Sequence, residues 1–170
     1  MKMFIFNLIF LISLSASTLN LSMSSSPSRL NPILANDSAS GEISDWLFNG
    51  LFKYDRNGDI ATELASSYEF LTPTKLIVKL KDNILWHDKV KLSSKDVIFT
   101  YEKIIDPTVF NSIKSNFNEV QSVKALDDLT VEIIYKKPYF KALEIWMVGL
   151  LPYHILKDEK NLMTSSFNKN

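Results

Sequence analysis

The sequence of 170 residues contains no cysteine, only two histidines and only four glycines. Without cysteine, a disulfide framework, a thiolate zinc site and a cysteine nucleophile are all excluded. Four glycines are too few for the glycine-rich turns that bind phosphate or dinucleotides. No serine lies in the nucleophile-elbow motif of the α/β-hydrolases. The sequence therefore predicts no catalytic residue and no enzyme.

The residues that remain for metal chemistry are isolated. His87 and His154 lie far apart in the sequence, and neither has a partner at the spacing of a zinc motif. Asp127 and Asp128 separate two apolar stretches, where a solvated turn is the simpler interpretation. We therefore expect neither a metal nor a cofactor.

Net charge and composition exclude further classes of function. Lysine plus arginine number 19 and aspartate plus glutamate number 19, so the formal net charge is zero. A basic surface for nucleic acid is not indicated, nor is a polybasic patch for a membrane surface. With 46% hydrophobic and 22% charged residues, the chain has the composition of a globular domain with its own core.

The N-terminus has the pattern of an export signal. Lys2 precedes a short apolar run, Phe4–Leu14, and small residues follow at 15–17. This order predicts a secretory signal peptide over residues 1–17, cleaved near its end; the alternative is an uncleaved anchor. The run is shorter than the roughly 20 residues that a membrane span needs. We expect a periplasmic protein without a lipid-anchoring cysteine.

Hydrophobic periodicity predicts a first set of elements. Alternation over residues 18–24 indicates a strand. A helix is predicted from Ser40, as its N-cap, to Leu51. A short strand at 52–54 and the Asn57-Gly58 turn follow.

The second half predicts more strands and two more helices. A capping box with Asp in place of Glu, Ser93–Asp96, starts a helix that ends at Asp106-Pro107. Residues 139–150 predict an apolar helix stopped by Pro152. Trp46 and Trp86 are predicted to pack in the core. Strands are predicted at 67–70, 75–80, 119–126 and 129–135, with a possible short edge strand at 84–86.

This arrangement predicts an α+β fold. Five short segments then follow one another in a recognisable order. They are Leu30–Ser40, Leu51–Gly58, Leu64–Phe70 continuing into Lys79–Asp88, Leu92–Tyr101, and Val123–Val131 with Lys137–Tyr139. Each segment is weak alone, but the ordered set resembles the extracytoplasmic solute-binding proteins of peptide and nickel ABC transporters. Three positions depart from the family pattern: Tyr68, Lys81 and Lys89. Lysine at 89 replaces a glycine, so we expect a differently built turn there.

The resemblance implies a domain arrangement. It implies a type II-like periplasmic binding protein of which this chain is an N-terminal fragment. Residues 18–48 would provide the first strand and ligand-facing loop of lobe one. Residues 49–167 would form its accessory α+β subdomain, and the second lobe would be absent.

The resemblance also implies a function and a site. Such proteins capture peptides between two lobes and deliver them to a membrane permease, so the expected partners are a peptide and an ABC permease, with the protein itself a monomer. The expected ligand-binding residues are Asn36, Asp37, Ser38, Ala39, Ser40 and, in the loop after Asp106-Pro107, Ile113. The alternatives are a nickel-chelate receptor of the same family, a peptide hydrolase, and a defunct fragment that folds partly or not at all.

Overall fold

A computed structural model describes residues 22–23 and 25–169. The predicted signal peptide lies outside these residues, as does most of the strand predicted over 18–24. Ser22 and Met23, which are described, have no regular secondary structure.

The first helix, α1, spans Ser38–Leu47. Its N-cap is Asp37, whose side chain accepts a hydrogen bond from the Ser40 backbone N–H. The prediction of Ser40 as the cap was therefore wrong, because an aspartate three residues earlier accepts a hydrogen bond from a free N–H group of the first turn. The predicted extension to Leu51 was also wrong. The Leu51 N–H bonds to the Trp146 carbonyl instead of continuing the helix.

A small hairpin follows α1. Strands β1 (Phe52–Tyr54) and β2 (Ile60–Thr62) pair antiparallel. Gly58 in the connecting turn has φ +86°, which is the left-handed conformation that glycine adopts without steric cost. The predicted strand and turn are confirmed.

The main sheet has four antiparallel strands in the order β3-β4-β6-β5. The strands are β3 (Ala65–Thr72), β4 (Lys75–Leu80), β5 (Val120–Asp127) and β6 (Thr130–Tyr135). Alternating residues of β4 and β6 are buried, as the period-2 pattern predicted. Both hairpins of this sheet were predicted from the sequence.

Helix α2 (Ser94–Ile105) packs against β5 and β6. Its predicted capping box is present, and the Ser93 N–H donates to Asp96 Oδ2 over 2.8 Å. Ser94 donates from its N–H to the Asp128 carbonyl and from its hydroxyl to the Asp127 carbonyl, both over 2.8 Å. The two aspartates thus form a turn that supports the start of α2, which confirms their interpretation.

One hydrophobic core joins the sheet, α2 and the segment near residue 150. Its largest fully buried side chains are Trp146, Tyr135, Phe52, Leu51, Leu76, Ile104, Ile133, Leu150, Leu151, Leu156, Val78 and Val97.

The helix predicted over residues 139–150 is absent, and that prediction was wrong. Only Glu144–Met147 form a short 3-10 helix, and the Leu150 N–H bonds to the Asn49 carbonyl. A contact to the segment that follows α1 therefore takes the place of a helical hydrogen bond. A four-residue helix, α3 (Tyr153–Leu156), begins after Pro152.

The turn around Lys89 also differs from the prediction. Leu85 and Lys91 form an isolated antiparallel bridge, and Lys89 has φ +73°. Lysine thus adopts the left-handed conformation expected of glycine, so the turn is not built differently. Trp86 is partly buried against the core, whereas Trp46 is 58% exposed, so the core position predicted for Trp46 was wrong.

Candidate functional site

The segment before α1 is held by the C-terminal end of the chain. The Leu30 N–H donates to the Asn168 carbonyl over 2.8 Å. The buried Asn31 side chain donates to Asn168 Oδ1 over 3.1 Å, and Ser44 of α1 donates to the Leu30 carbonyl over 2.9 Å. Residues 28–31 are thereby fixed from two sides.

A serine–aspartate network holds the entry to α1. Ser40 is buried, and its hydroxyl accepts hydrogen bonds from the N–H groups of Ser28 and Arg29 at 2.8 and 3.1 Å. The hydroxyls of Ser28 and Ser40 both donate to Asp37 Oδ2 over 2.6 Å. These hydrogen bonds, first that from the Ser28 hydroxyl, lower the pKa of Asp37 to about 2. Asp37 is therefore a carboxylate at neutral pH, and its acceptors are largely engaged.

The predicted ligand-facing loop divides into exposed and buried residues. Asn36, Asp37 and Ser38 are exposed. Ala39 is buried at 6% exposure and Ser40 at 0%. The exposed side chains of the loop are thus those of the first three residues, and of these Asp37 already accepts hydrogen bonds from Ser28 and Ser40.

The fold places this loop beside the loop that follows α2. Asn36 lines an open cavity of about 680 Å³ together with residues 110–112. The two loops are more than 70 residues apart in sequence, and only the tertiary structure brings them together. The remaining lining residues are Ser28, Arg29, Ile33, Leu34 and Met163.

Ile113 itself does not line this cavity. It is partly buried and packs against the core. Its neighbour Asn111 lines the cavity and donates from Nδ2 to the carbonyls of Ile104 and Val109 at 3.0 and 3.2 Å. Asn111 Oδ1 is buried and has no hydrogen-bond partner among the described residues.

Ser28, Arg29 and Met163 of the cavity escaped the sequence analysis, whereas Phe110 lies in the loop after Asp106-Pro107 to which the resemblance pointed. Arg29 lies just before the Leu30-Asn31-Pro32 motif, Phe110 is 89% exposed, and Met163 comes from the C-terminal end of the chain. For Arg29 a signal existed, since it is one of only two arginines. Met163 carried no pattern that distinguishes it from core residues.

A second, more apolar depression lies near the C-terminal end of α1. It has a volume of about 380 Å³ and is lined mainly by Leu47, Phe48, Trp86, Ile155 and Phe167. At its edge His154 Nε2 lies 2.7 Å from Asp88 Oδ2, and this hydrogen bond lowers the pKa of Asp88. Within the described part of the chain, no group of three or more His, Cys, Asp or Glu could hold a metal ion.

No helix among residues 22–23 and 25–169 is long and apolar enough to cross a membrane.

Comparison with solved structures finds the same fold in solute-binding proteins. NikZ from Campylobacter jejuni, in complex with Ni(L-His), is 36% identical with a TM-score of 0.77 over 86% of this chain and 29% of that one. AppA from Bacillus subtilis, in complex with a nonapeptide, is 27% identical with a TM-score of 0.78 over 85% of this chain and 30% of that one. The predicted α+β, binding-protein-like fold is confirmed.

Sequence comparison gives the same relationship. The oligopeptide-binding protein AppA of Bacillus subtilis is 29% identical over 133 residues, which are 76% of this chain and 24% of that protein. The glutathione-binding protein GsiB of Pectobacterium atrosepticum is 32% identical over 116 residues, 65% and 22% of the two chains. The chain thus spans about a quarter of the length of these relatives.

The family model "Bacterial extracellular solute-binding proteins, family 5 Middle" matches residues 59–169. This range covers β3 to β6, α2 and the C-terminal turns, so it includes the whole main sheet. The predicted family is confirmed: the chain belongs to family 5 of the bacterial extracellular solute-binding proteins.

Proposed function

We propose that this chain is the solute-capturing part of an ABC import system that takes up peptides and passes them to a membrane permease. The observation that carries the proposal is the cavity in which Asn36 meets the loop at residues 110–112. Relatives are named as oligopeptide-binding proteins, and the AppA structure holds a nonapeptide. The protein acts as a carrier, not as an enzyme, and is exported to the periplasm as a monomer.

The site would hold a peptide chiefly through its backbone. Extended peptides bind many proteins by main-chain hydrogen bonds, which accept many side chains. The exposed amide of Asn36 and the exposed Ser38 offer donors and acceptors, while Asp37 and the buried Ala39 and Ser40 would hold the loop in position for the ligand. Ile113 packs against the core and would support the loop at residues 110–112. Residues 18–48 and 49–167 would then act as ligand loop and accessory subdomain of one lobe, closed by a second lobe.

A nickel chelate is the second candidate ligand. The observation in its favour is the 36% identity to NikZ, whose structure contains Ni(L-His). A chelate whose own atoms fill most metal positions needs few protein ligands. The described residues offer no cluster of three metal-binding side chains, so the peptide remains the first proposal.

The test is an NMR titration of the full chain with trialanine at millimolar concentration. Peptide binding predicts shifts of the backbone signals at residues 36–40 and 108–113. Asn36→Ala should weaken binding roughly fivefold, the effect of one lost hydrogen bond of about 1 kcal/mol. The matched control is Asn57→Ala in the β1–β2 turn, which should bind like the wild type.

Three outcomes would contradict the proposal. Shifts confined to other surfaces, or none at all, would remove the peptide function. Cleavage of trialanine, detected by mass spectrometry, would favour a hydrolase. A parallel titration with nickel and L-histidine that alone produces shifts at these residues would favour the chelate receptor.

A further inference from the structure

Arg29 is the one charged residue in the lining of the cavity that Asn36 shares with residues 110–112. Its neighbours there are apolar side chains, amides and hydroxyls. We propose that Arg29 binds the carboxylate of the ligand, so that this chain recognises solutes with a free carboxyl group next to an apolar group. This inference rests on the proposed function and adds the ligand class to it.

The position of Arg29 is fixed before any ligand binds. Its N–H donates to the buried Ser40 hydroxyl, and the following residue, Leu30, is bonded to Asn168 and Ser44. A backbone held from both sides leaves only the side chain to be ordered on binding. Preorganisation of this kind lowers the entropic cost of recognition.

The guanidinium group is also available. Among the described residues, Arg29 forms no ion pair, and its side chain makes no hydrogen bond, although it is only partly exposed. The nearby carboxylate of Asp37 lies beyond ion-pair distance of it and already accepts from Ser28 and Ser40. An unpaired, half-buried cation gains most from an incoming anion.

The chemistry of the lining selects the kind of anion. A planar guanidinium matches a carboxylate with two parallel hydrogen bonds. A single positive charge suits a monoanion better than a doubly charged phosphate. Phe110 at 89% exposure and Met163 add apolar surface for a neighbouring side chain, and the exposed Asn36 adds an amide group. The combination fits the carboxyl end of a short peptide with an apolar last residue.

The experiment compares two peptides and three variants of the full chain. Ala-Ala-Phe and its C-terminal amide differ only in the carboxylate. Their dissociation constants are measured by NMR titration with wild type, Arg29→Gln and Arg29→Lys. The control is Arg56→Gln, which removes the only other arginine, in the exposed β1–β2 turn. Retained dispersion of the NMR spectrum shows that each variant is folded.

We expect wild type and Arg56→Gln to bind the acid at least about tenfold more tightly than the amide, as a charge-assisted bidentate pair predicts. Arg29→Gln should lose this preference while still binding the amide like the wild type. Arg29→Lys should keep only part of it, because lysine lacks the planar fork.

Three results would overturn the inference. Equal binding of acid and amide by wild type would remove the carboxylate site but leave peptide binding intact. An acid preference that survives in Arg29→Gln would assign the carboxylate to another residue. Failure of wild type to bind either peptide would remove the proposed function and this inference with it.

Discussion

Trp146 Nε1 donates a hydrogen bond to Tyr135 Oη over 2.9 Å, and both side chains are buried, at 0% and 2% exposure. The Tyr135 hydroxyl donates in turn to the Ala142 carbonyl. Burial, the largest cause, raises the pKa of Tyr135 far above its ordinary value. This relay joins the end of β6 to the irregular segment where a helix was predicted.

Tyr135→Phe should destabilise the fold. It leaves the Trp146 N–H and the Ala142 carbonyl buried without partners, and each such group costs about 1–3 kcal/mol. Urea denaturation of the full chain measures the loss. Tyr139→Phe is the control, because the Tyr139 hydroxyl bonds to the Asn116 carbonyl at the surface and its loss should cost less than about 0.5 kcal/mol. Equal stability of the two variants would contradict the relay.

Ser40→Ala should loosen the segment before α1. The buried hydroxyl accepts from two backbone N–H groups, and leaving them unpaired should cost about 1–3 kcal/mol. Hydrogen exchange at Ser28 and Arg29 should accelerate accordingly. Ser38→Ala, at the exposed first residue of α1, should leave exchange at these positions unchanged. Unchanged protection in Ser40→Ala would show that other contacts hold the segment.

Two glycine substitutions should change the stability of the fold in opposite directions. A Cβ at Gly50 would lie 2.5 Å from the Met147 backbone, so Gly50→Ala should destabilise by about 1–3 kcal/mol or more. At Gly41, inside α1, a Cβ meets nothing within 4 Å, so Gly41→Ala should stabilise by about 0.5–1 kcal/mol. Thermal unfolding of both variants measures the signs. A stable Gly50→Ala variant would rule out the close approach of residues 50 and 147.

Asp37 should make the stability depend on acid pH. Its pKa is lowered from 3.8 to about 2 by the Ser28 and Ser40 hydrogen bonds. Its ionised form therefore stabilises the fold fully above the unfolded pKa near 4, and this contribution is lost as the pH falls towards 2. The stability difference between wild type and Asp37→Asn should shrink over that window. A carboxyl carbon signal of Asp37 that titrates near 3.8 would contradict this prediction.

Local patterns were sufficient where neighbours in sequence are also neighbours in space. The hairpins, α2 and its capping box all follow from alternation, helical spacing and turn residues. The failures have a common cause. Residues 139–150 are apolar enough for a helix. The hydrogen bond from Leu150 to Asn49 and the close contact of Met147 with Gly50 stabilise the irregular conformation more than local helix propensity stabilises a helix. The predicted N-cap of α1 was wrong because Asp37 takes the cap position. The Ser40 hydroxyl instead accepts hydrogen bonds from the N–H groups of Ser28 and Arg29.

The sequence by itself determined the family, the strand pairs and the loop proposed to meet the ligand, because ordered motifs and short-range periodicity carry that information. Only the tertiary structure decided that this loop shares a cavity with residues 110–112 and Arg29, and that Ile113 packs against the core instead of lining that cavity. The reason is physical. Such contacts join residues far apart in the chain, and their geometry depends on how the core packs and not on any local pattern.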